Sequence, residues 1–314
     1  MKLRLFAVLT TLAIIALTAC GVAAVHGGQG APPAPPATGP AALPARIAGV
    51  VTGNLSAFDS ACGCRPDMAV HYVRWGEDPA TSQKLATGML ADGASPLLEI
   101  EPYGVSLAGI AAGSDDAWLL SYAAMVKSLK SQVMMSFAPE MNGNWYSWGY
   151  PKSTPAQFVA AWRHVVAVFR QAGAVNARWA WLVNFSYPGS TPLAELWPGS
   201  GVSAVGIDGY FTAPSVTFAG RFGATIAAVR KLAGVPVFIG ETGAAAAAEK
   251  ASALSQLTAG VSAYGLAGFV WFDIDQQDGR DPSAPSVNRN DWSIDADPAA
   301  LAAFSAAARR YRRW

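Results

Sequence analysis

Short, continuous apolar runs recur along the chain from residue 46 onward. Each run ends in polar residues or glycine and is followed by an alanine-rich stretch. Uninterrupted apolar runs separated by helices are typical of parallel strands that are buried on both faces. The pattern predicts eight strands, at Ile47–Thr52, Ala69–Trp75, Pro96–Glu101, Val133–Ala138, Arg178–Asn184, Ala204–Gly209, Pro236–Gly240 and Ala267–Asp273.

The alanine-rich stretches between the runs favour helices. The clearest begins with Thr154 as a cap and Pro155 in the first turn, and Phe158, Trp162 and Val165 then recur at helical spacing. The predicted helices are Asp115–Lys130, Pro155–Gln171, Ala219–Leu232, Ala245–Tyr264 and Pro298–Arg313.

Strand–helix repetition of this kind predicts an α/β protein. Eight β/α units in about 270 residues match the size of a (β/α)8 TIM barrel, so residues 46–314 are expected to form a single catalytic domain. The alternative is an open, doubly wound sheet. That fold is disfavoured because no Gly-x-Gly-x-x-Gly motif follows the first strand.

In such barrels the active site lies at the carboxyl ends of the strands. Polar and aromatic residues recur at the predicted strand ends, where a purely structural core would not place them so regularly. They are Trp75, Glu101, Tyr103, Glu140, Asn142, Asn184, Phe185, Asp208, Tyr210, Glu241, Trp271, Asp273 and Asp275.

Two glutamates, Glu140 and Glu241, each end a short apolar run. An ionised carboxylate in such a place is costly unless it is paired or used. Two carboxyl groups that face one pocket, one protonated and the other ionised, are the catalytic groups of a retaining glycoside hydrolase. The structural alternatives are a core pair with an arginine such as Arg178 for Glu140, and a backbone hydrogen bond at a turn for Glu241.

Three motifs resemble glycoside hydrolase family 26. The segment FAPEMNGNWYSWG around Glu140 is similar to that family's signature after the fourth strand, FIGETG around Glu241 to its nucleophile strand, and GIDGY, ending at Tyr210, to its sixth strand. The resemblance implies a (β/α)8 fold and retention of anomeric configuration. Many members are endo-β-1,4-mannanases, and others cleave β-1,3-xylan or mixed-linkage β-glucan.

The resemblance also implies roles for individual residues. Glu140 would be the acid/base and Glu241 the nucleophile, with the Tyr210 hydroxyl holding Glu241. Trp271 would be the stacking floor at the point of cleavage. The other predicted substrate-binding residues are Trp145, Phe185, Asn142, Trp148, Glu101 and Trp75. For the aromatic residues among them, core or loop packing is the structural alternative.

The sequence departs from the family at two places. Pro139 precedes the acid/base, where many members have histidine, and a histidine that contacts sugar near the end of the third strand in mannanases is missing. Glu99, Glu101 and Tyr103 occupy that stretch. Glu101 is expected either to contact substrate or to pair with Arg74. Both departures weaken the mannan assignment more than the hydrolase assignment.

Composition changes this picture little. The 314 residues are 52% hydrophobic and 14% charged, with a net charge of +1, which gives no reason to expect nucleic acid or an anionic membrane surface as a partner. Eleven tryptophans suit a protein that stacks flat sugar rings. We predict a monomer that binds a polysaccharide and uses no cofactor and no metal.

The N-terminus has the pattern of a targeting segment. Lys2 and Arg4 precede an apolar stretch, and Leu-Thr-Ala-Cys at residues 17–20 resembles the lipobox of bacterial lipoproteins. We expect a signal peptide over residues 1–19, lipidation of Cys20, and a Pro/Ala/Gly-rich tether over 20–45. The protein would then be anchored to the membrane at the extracellular face of the cell. An ordinary secretory signal with an incidental cysteine, and hence a secreted protein, is the alternative.

Two further features leave alternatives open. Cys62 and Cys64 form either a local disulfide or two free thiols, and His71 alone does not complete a zinc site with them. The acidic stretch at residues 273–295 is expected to be a loop at the pocket rim, with Asp291 and Trp292 placed to meet substrate. Calcium binding is the alternative for that stretch.

Three functions compete on these observations: a tethered β-glycanase, a non-catalytic polysaccharide-binding protein on a hydrolase scaffold, and an enzyme that acts on the cell's own surface glycan.

Overall fold

A computed structural model of the chain describes residues 47–276 and 290–311. Eight parallel strands form a closed barrel in the order of the sequence, and β1 pairs with β8 to close it. The strands are β1 (Ile47–Thr52), β2 (Met68–Arg74), β3 (Ser95–Glu101), β4 (Val133–Phe137), β5 (Ala177–Asn184), β6 (Val202–Asp208), β7 (Val237–Thr242) and β8 (Gly268–Asp273). The predicted (β/α)8 barrel is confirmed.

Helices follow the strands and cover the barrel. They are α1 (Leu55–Cys62), α2 (Pro79–Ala91), α3 (Leu107–Ala111), α4 (Asp116–Ser128), α5 (Pro155–Gln171), α6 (Leu193–Leu196), α7 (Phe218–Leu232), α8 (Lys250–Ala263) and α9 (Pro298–Tyr311). The predicted capping of α5 is present, since the Thr154 side chain accepts from the Gln157 backbone and the Gln157 side chain accepts from the Thr154 backbone.

Sequence reasoning missed α1, α2, α3 and α6. Three of them are short, and α2 has few large apolar residues to mark a buried face. Their signals were the caps, because the Asn54 and Asp78 side chains accept from the first turns of α1 and α2. Helix α8 begins at Lys250, five residues later than predicted, because Ala247–Glu249 form a 3-10 turn.

Buried side chains form two layers that follow the alternation of each strand. The interior of the barrel contains Ile47, Val51, Met68, Val70, Leu97, Met134, Leu182, Phe238, Val270 and Phe272. Their neighbours in sequence face outward and pack against the helices. Because successive strand residues point to opposite faces, a shift of one residue decides whether a side chain reaches the barrel interior or the helix layer.

Cys62 and Cys64 form a disulfide, with their Cα atoms 5.2 Å apart, so the first of the two alternatives is the one observed. They lie where α1 ends and the chain returns to β2, at the opposite end of the barrel from the predicted strand-end site. Within residues 47–276 and 290–311, no helix is long and apolar enough to cross a membrane. The predicted signal peptide, the tether and Cys20 lie outside the described residues.

Candidate active site

The two predicted catalytic glutamates both lie at the carboxyl end of the barrel. Glu140 follows β4, and Glu241 is the fifth residue of β7. Strict alternation from the inward-facing Phe238 would turn Glu241 outward. The pairing of β6 with β7 is irregular between Ile207 and Asp208, which brings Glu241 opposite Asp208. Such bulges re-aim side chains next to active sites, and here Glu241 reaches the barrel mouth.

Two tyrosine hydroxyls hold the Glu241 carboxylate. Tyr210 donates to Oε1 and Tyr72 donates to Oε2. Burial raises the pKa of Glu241, whereas these two hydrogen bonds lower it by stabilising the ionised form. Burial has the larger effect, so the pKa of Glu241 lies above its ordinary value, while the two hydrogen bonds orient both carboxylate oxygens and favour the ionised form.

Tyr72 was missed in the sequence, although a signal was present. It follows Met68 and Val70 at alternate positions of β2, and those two side chains fill the barrel interior. A polar ring at the next inward position, near the strand end, had to point into the mouth.

Replacing Tyr72 by phenylalanine should raise the pKa of Glu241. A hydrogen bond to a charged group contributes about 1.5–3 kcal/mol, so its loss should shift that pKa upward by about one to two units. The acidic limb of the pH–activity profile should move to higher pH by the same amount. Tyr264→Phe, on the helix layer beside Phe218, is the matched control, and an unshifted acidic limb in Tyr72→Phe would contradict the assigned contact.

Glu140 lies on an unusual stretch of backbone. Ala138 and Glu140 have φ angles of +50° and +53°, in the left-handed region that side chains disfavour. Such residues cost roughly 1–3 kcal/mol each and concentrate at functional sites. Hydrogen bonds secure the turn, since the Glu140 amide donates to the Leu182 carbonyl at 3.0 Å and the Trp148 indole donates to the Pro139 carbonyl at 2.6 Å.

The surroundings of Glu140 favour its protonated form. Burial, followed by repulsion from Glu241, raises its pKa to about 8, and Glu101 adds to the repulsion. The indole Nε1 of Trp145 opposes this effect by donating to Oε2 at 3.1 Å. Because the charge of Glu241 raises the pKa of Glu140, the two carboxyls are close enough to interact electrostatically. Glu140 is therefore the carboxyl whose protonated form is favoured, whereas the tyrosine hydrogen bonds to Glu241 favour its ionised form.

Three further carboxyls line the mouth: Glu99, Glu101 and Asp208. Burial and the neighbouring glutamates raise the pKa values of Glu99 and Asp208 well above the usual range. Asp208 lies against the Gly240 backbone, where an added Cβ would come within 2.4 Å of its Oδ1. Among the residues that the structure describes, no three histidines, cysteines or carboxylates are arranged to hold a metal ion.

A flat aromatic surface adjoins Glu140. The rings of Trp145 and Tyr187 stack at 6.3 Å with 24° between their planes, and both are partly exposed. Gly143 makes room for the indole, because a Cβ at that position would lie 2.3 Å from the Trp145 ring. Tyr187 was not predicted from the sequence, since it follows β5 in an irregular loop. The pair is placed to contact a sugar next to the acid/base.

The prediction that Trp271 forms the stacking floor is wrong. Its neighbours Val270 and Phe272 face the barrel interior, so Trp271 faces the helices, where it is fully buried. Its indole donates to the backbone carbonyl of Trp292 at 3.3 Å. The tryptophan that reaches the barrel interior is Trp292, which packs on Tyr210 with the ring centroids 4.5 Å apart.

Direct substrate contact by Asn142 and Trp148 is also wrong. Asn142 is 1% exposed, and its amide group accepts from the Asn184 amide at 2.9 Å and donates to the Asn184 carbonyl at 2.8 Å. Trp148 is 2% exposed and stacks on Tyr146. Both residues fasten the loop after β4 instead of facing the cavity.

Phe185 and Trp75 lie on the helix side of the barrel. The Phe185 ring lies 4.1 Å from the Arg221 guanidinium, and Trp75 packs on Trp118 at 4.6 Å. We therefore assign both to the outer core instead of the sugar subsite. Glu101 is at the mouth, opposite Arg74 in the β2–β3 register, and its two predicted roles stay predictions.

Comparison with known proteins supports this description of the barrel. The chain is similar to BoMan26A, a GH26 β-mannanase from Bacteroides ovatus, with 14% identity, a TM-score of 0.60, and 82% of this chain and 83% of that chain covered. It is also similar to the catalytic domain of a GH26 endo-β-1,4-mannanase from Bacillus sp. JAMB-750, with 17% identity, a TM-score of 0.59, and coverage of 80% and 78%. At these identities the likeness shows the fold.

Two comparisons of sequence add evidence about the family of the chain. The chain is 28% identical over 162 residues to Endoglucanase H of Acetivibrio thermocellus, which covers 50% of this chain and only 18% of that much longer protein. The sequence profile of glycosyl hydrolase family 26 matches residues 117–274, half of the chain, and this range includes Glu140, Tyr210 and Glu241. The chain belongs to glycosyl hydrolase family 26.

Proposed function

We propose that this protein is a retaining, endo-acting β-glycanase in which Glu140 is the acid/base and Glu241 the nucleophile. The observation that supports it most strongly is the difference between the two carboxyls at one barrel mouth. Glu241 accepts hydrogen bonds from two tyrosine hydroxyls, which favour its ionised form, while burial and the charge of Glu241 raise the pKa of Glu140 to about 8.

The reaction proceeds in two displacements. Glu140 gives its proton to the glycosidic oxygen as the bond to the anomeric carbon breaks, and a Glu241 carboxylate oxygen bonds to that carbon. Water then attacks the same carbon and loses a proton to Glu140, which releases Glu241 as a carboxylate. Two inversions retain the anomeric configuration. Tyr72 and Tyr210 orient the attacking carboxylate.

The first candidate substrate is β-1,4-mannan, on the resemblance of the Glu140 and Glu241 motifs. A second candidate is β-glucan, which two observations favour: the similarity to Endoglucanase H, and Glu99 and Glu101 in the stretch where mannanases have a sugar-binding histidine. Both polymers present β-linked pyranose rings that suit the Trp145–Tyr187 surface.

A glycan panel tests the proposal. Purified protein is incubated with mannan, mixed-linkage β-glucan, cellulose, β-1,3-xylan and cell-envelope glycan, and the first-formed anomer is followed by proton NMR. Release of internal fragments with β-configuration is the expected result. Inversion of configuration, or binding without turnover on every polymer, would overturn it in favour of another mechanism or a non-catalytic binder.

The pH profile provides a further prediction. Because Glu140 must be protonated for the first displacement, kcat/KM should fall as the pH rises through about 8. Trp145→Phe removes the hydrogen bond that lowers the pKa of Glu140, so the alkaline limb should move to higher pH. Trp118→Phe, whose indole donates to the Glu77 carbonyl on the helix side, is the control. A downward shift in Trp145→Phe would contradict the assigned contact.

We further propose that Cys20 is lipidated and anchors the domain outside the cytoplasm through the tether at residues 20–45. The lipobox-like LTAC and the Pro/Ala-rich composition support this. Cys20→Ser should move the protein from the membrane to the soluble fraction, and mass spectrometry of the mature N-terminus should show diacylglycerol in the parent only. Membrane association that is unchanged in Cys20→Ser would overturn this proposal.

A further inference from the structure

A short segment, Asn290–Ile294, lies beside the carboxyl end of β8, and several hydrogen bonds hold it there. The Trp292 amide donates to the Ile274 carbonyl at 3.1 Å, and the Ile294 amide donates to Asp273 Oδ1 at 2.6 Å. Asp275 and Asp291 also form an isolated β-bridge. This fastening fixes the direction in which Trp292 points.

A buried lysine on another element also contacts this segment. Lys250, the first residue of α8, is 2% exposed. Its Nζ donates to Asp291 Oδ2 at 3.0 Å and to the Ser293 carbonyl. Asp291 in turn accepts from the Ser293 amide through Oδ1 at 2.9 Å. Removing a charge from water is costly, so a lysine kept here in place of an apolar residue points to a task beyond packing.

Trp292 links the segment held by Lys250 to Tyr210 and Glu241. The residue is 4% exposed, and its ring packs on Tyr210 at 4.5 Å, while Phe272 meets the Tyr210 ring edge-on at 6.0 Å. The indole Nε1 donates to Gln276 Oε1 at 3.0 Å, which fixes the plane of the ring. Tyr210, held between these rings, donates its hydroxyl to Glu241.

We propose that Lys250 is a positioning residue of the active site. Through Asp291 and Ser293 it fastens the segment Asn290–Ile294, so that Trp292 holds Tyr210 against Glu241. The role of Glu241 in this inference rests on the proposed function, whereas the chain of contacts from Lys250 to Glu241 does not.

The contacts from Lys250 through Trp292 to Tyr210 should affect the ionisation of Glu241. Releasing Trp292 loosens Tyr210, weakens its hydrogen bond and raises the pKa of Glu241. The titratable groups that interact with Glu241 from the surrounding elements are Tyr72 on β2, Glu99 on β3, Glu140 and Tyr146 after β4, and Asp208 and Tyr210 at the end of β6. Lys250 and Asp291 act from outside this set.

The experiment follows the titration of Glu241 by carbon-13 NMR of glutamate-labelled full-length protein, with Glu241→Gln to assign the resonance. Tyr210→Phe should shift the titration upward by about one to two pH units. We expect Lys250→Met and Trp292→Ala to give upward shifts of about half that size. Lys250→Arg keeps the charge and should restore much of the parent value. Lys84→Met, an exposed lysine on α2, should leave the titration unchanged.

Asp291→Asn separates positioning from a simple charge effect. Removing a negative charge directly lowers the pKa of a nearby carboxyl, whereas loosening the segment raises it. We expect an upward shift. In the Tyr210→Phe background, Lys250→Met and Trp292→Ala should add nothing, because the hydroxyl through which they act is gone.

Two outcomes would overturn the inference. One is a lowered melting temperature in Lys250→Met with no change in the Glu241 titration, which would make Lys250 a structural residue only. The other is a shift of the same size with and without the Tyr210 hydroxyl, which would indicate a direct charge effect. The NMR readout needs no substrate, so a protein that turned over no glycan would contradict the proposed function while leaving this test intact.

Discussion

Replacing Glu241 by glutamine should abolish turnover of the polysaccharide. The amide cannot form the glycosyl-enzyme, and loss of a covalent nucleophile costs on the order of 10⁴-fold or more in kcat. The fold should persist, because the glutamine oxygen can still accept from Tyr72 or Tyr210. Removing the charge of Glu241 should also lower the pKa of Glu140, since repulsion from Glu241 is one of the causes that raise this pKa.

The measurement is initial rate on the best glycan of the panel, together with the melting temperature. Glu195→Gln, at an exposed glutamate on α6, is the matched control and should keep the parent rate. If Glu241→Gln lost less than tenfold while remaining folded, the nucleophile would have to be a different residue.

Replacing Glu140 by glutamine should give a loss that depends on the leaving group. General acid catalysis contributes about 10²–10⁴-fold, so cleavage of a polysaccharide, whose leaving oxygen needs a proton, should fall by that amount. An aryl glycoside with an acidic phenol should form the glycosyl-enzyme almost as fast as in the parent protein. The alkaline limb that belongs to the raised pKa of Glu140, about 8, should disappear.

Azide provides the decisive readout for this variant. With no general base to activate water, the small anion should attack the glycosyl-enzyme and accelerate turnover, giving a β-glycosyl azide of retained configuration. The same addition to Glu241→Gln should produce no such product. An equal loss on aryl glycosides and polysaccharide, with no response to azide, would show that Glu140 is not the acid/base.

The fold could be predicted from the sequence because short, local patterns of apolar and polar residues define its strands and helices. Apolar runs such as Val133–Ala138 alternate with helical stretches such as Pro155–Gln171. This order predicts a parallel α/β fold, and eight units match the size of a closed barrel. Glu140 and Glu241 could be predicted as functional residues for a related reason. A carboxylate at the end of a buried strand is costly, so its position in the sequence already indicates use.

The wrong assignments of substrate-binding residues arose because position at a strand end was considered without the alternation of side chains between the barrel interior and the helices. Trp271 and Trp75 stand at strand ends, yet both point to the helices. Tyr72 is two residues before the end of β2 and points into the barrel. Counting from Met68 and Val70 would have found Tyr72, and counting from Val270 would have excluded Trp271.

The sequence by itself determined the number and order of the strands and the two glutamates, because periodicity and the cost of burying charge act over a few residues. Only the tertiary structure decided what surrounds those glutamates. Tyr72 meets Glu241 across 169 residues of chain, and Lys250 meets Asp291 across 41. Closing the barrel brings such residues together, and a local shift in register between β6 and β7 turns Glu241 into the mouth. No pattern within a short stretch of sequence encodes either event.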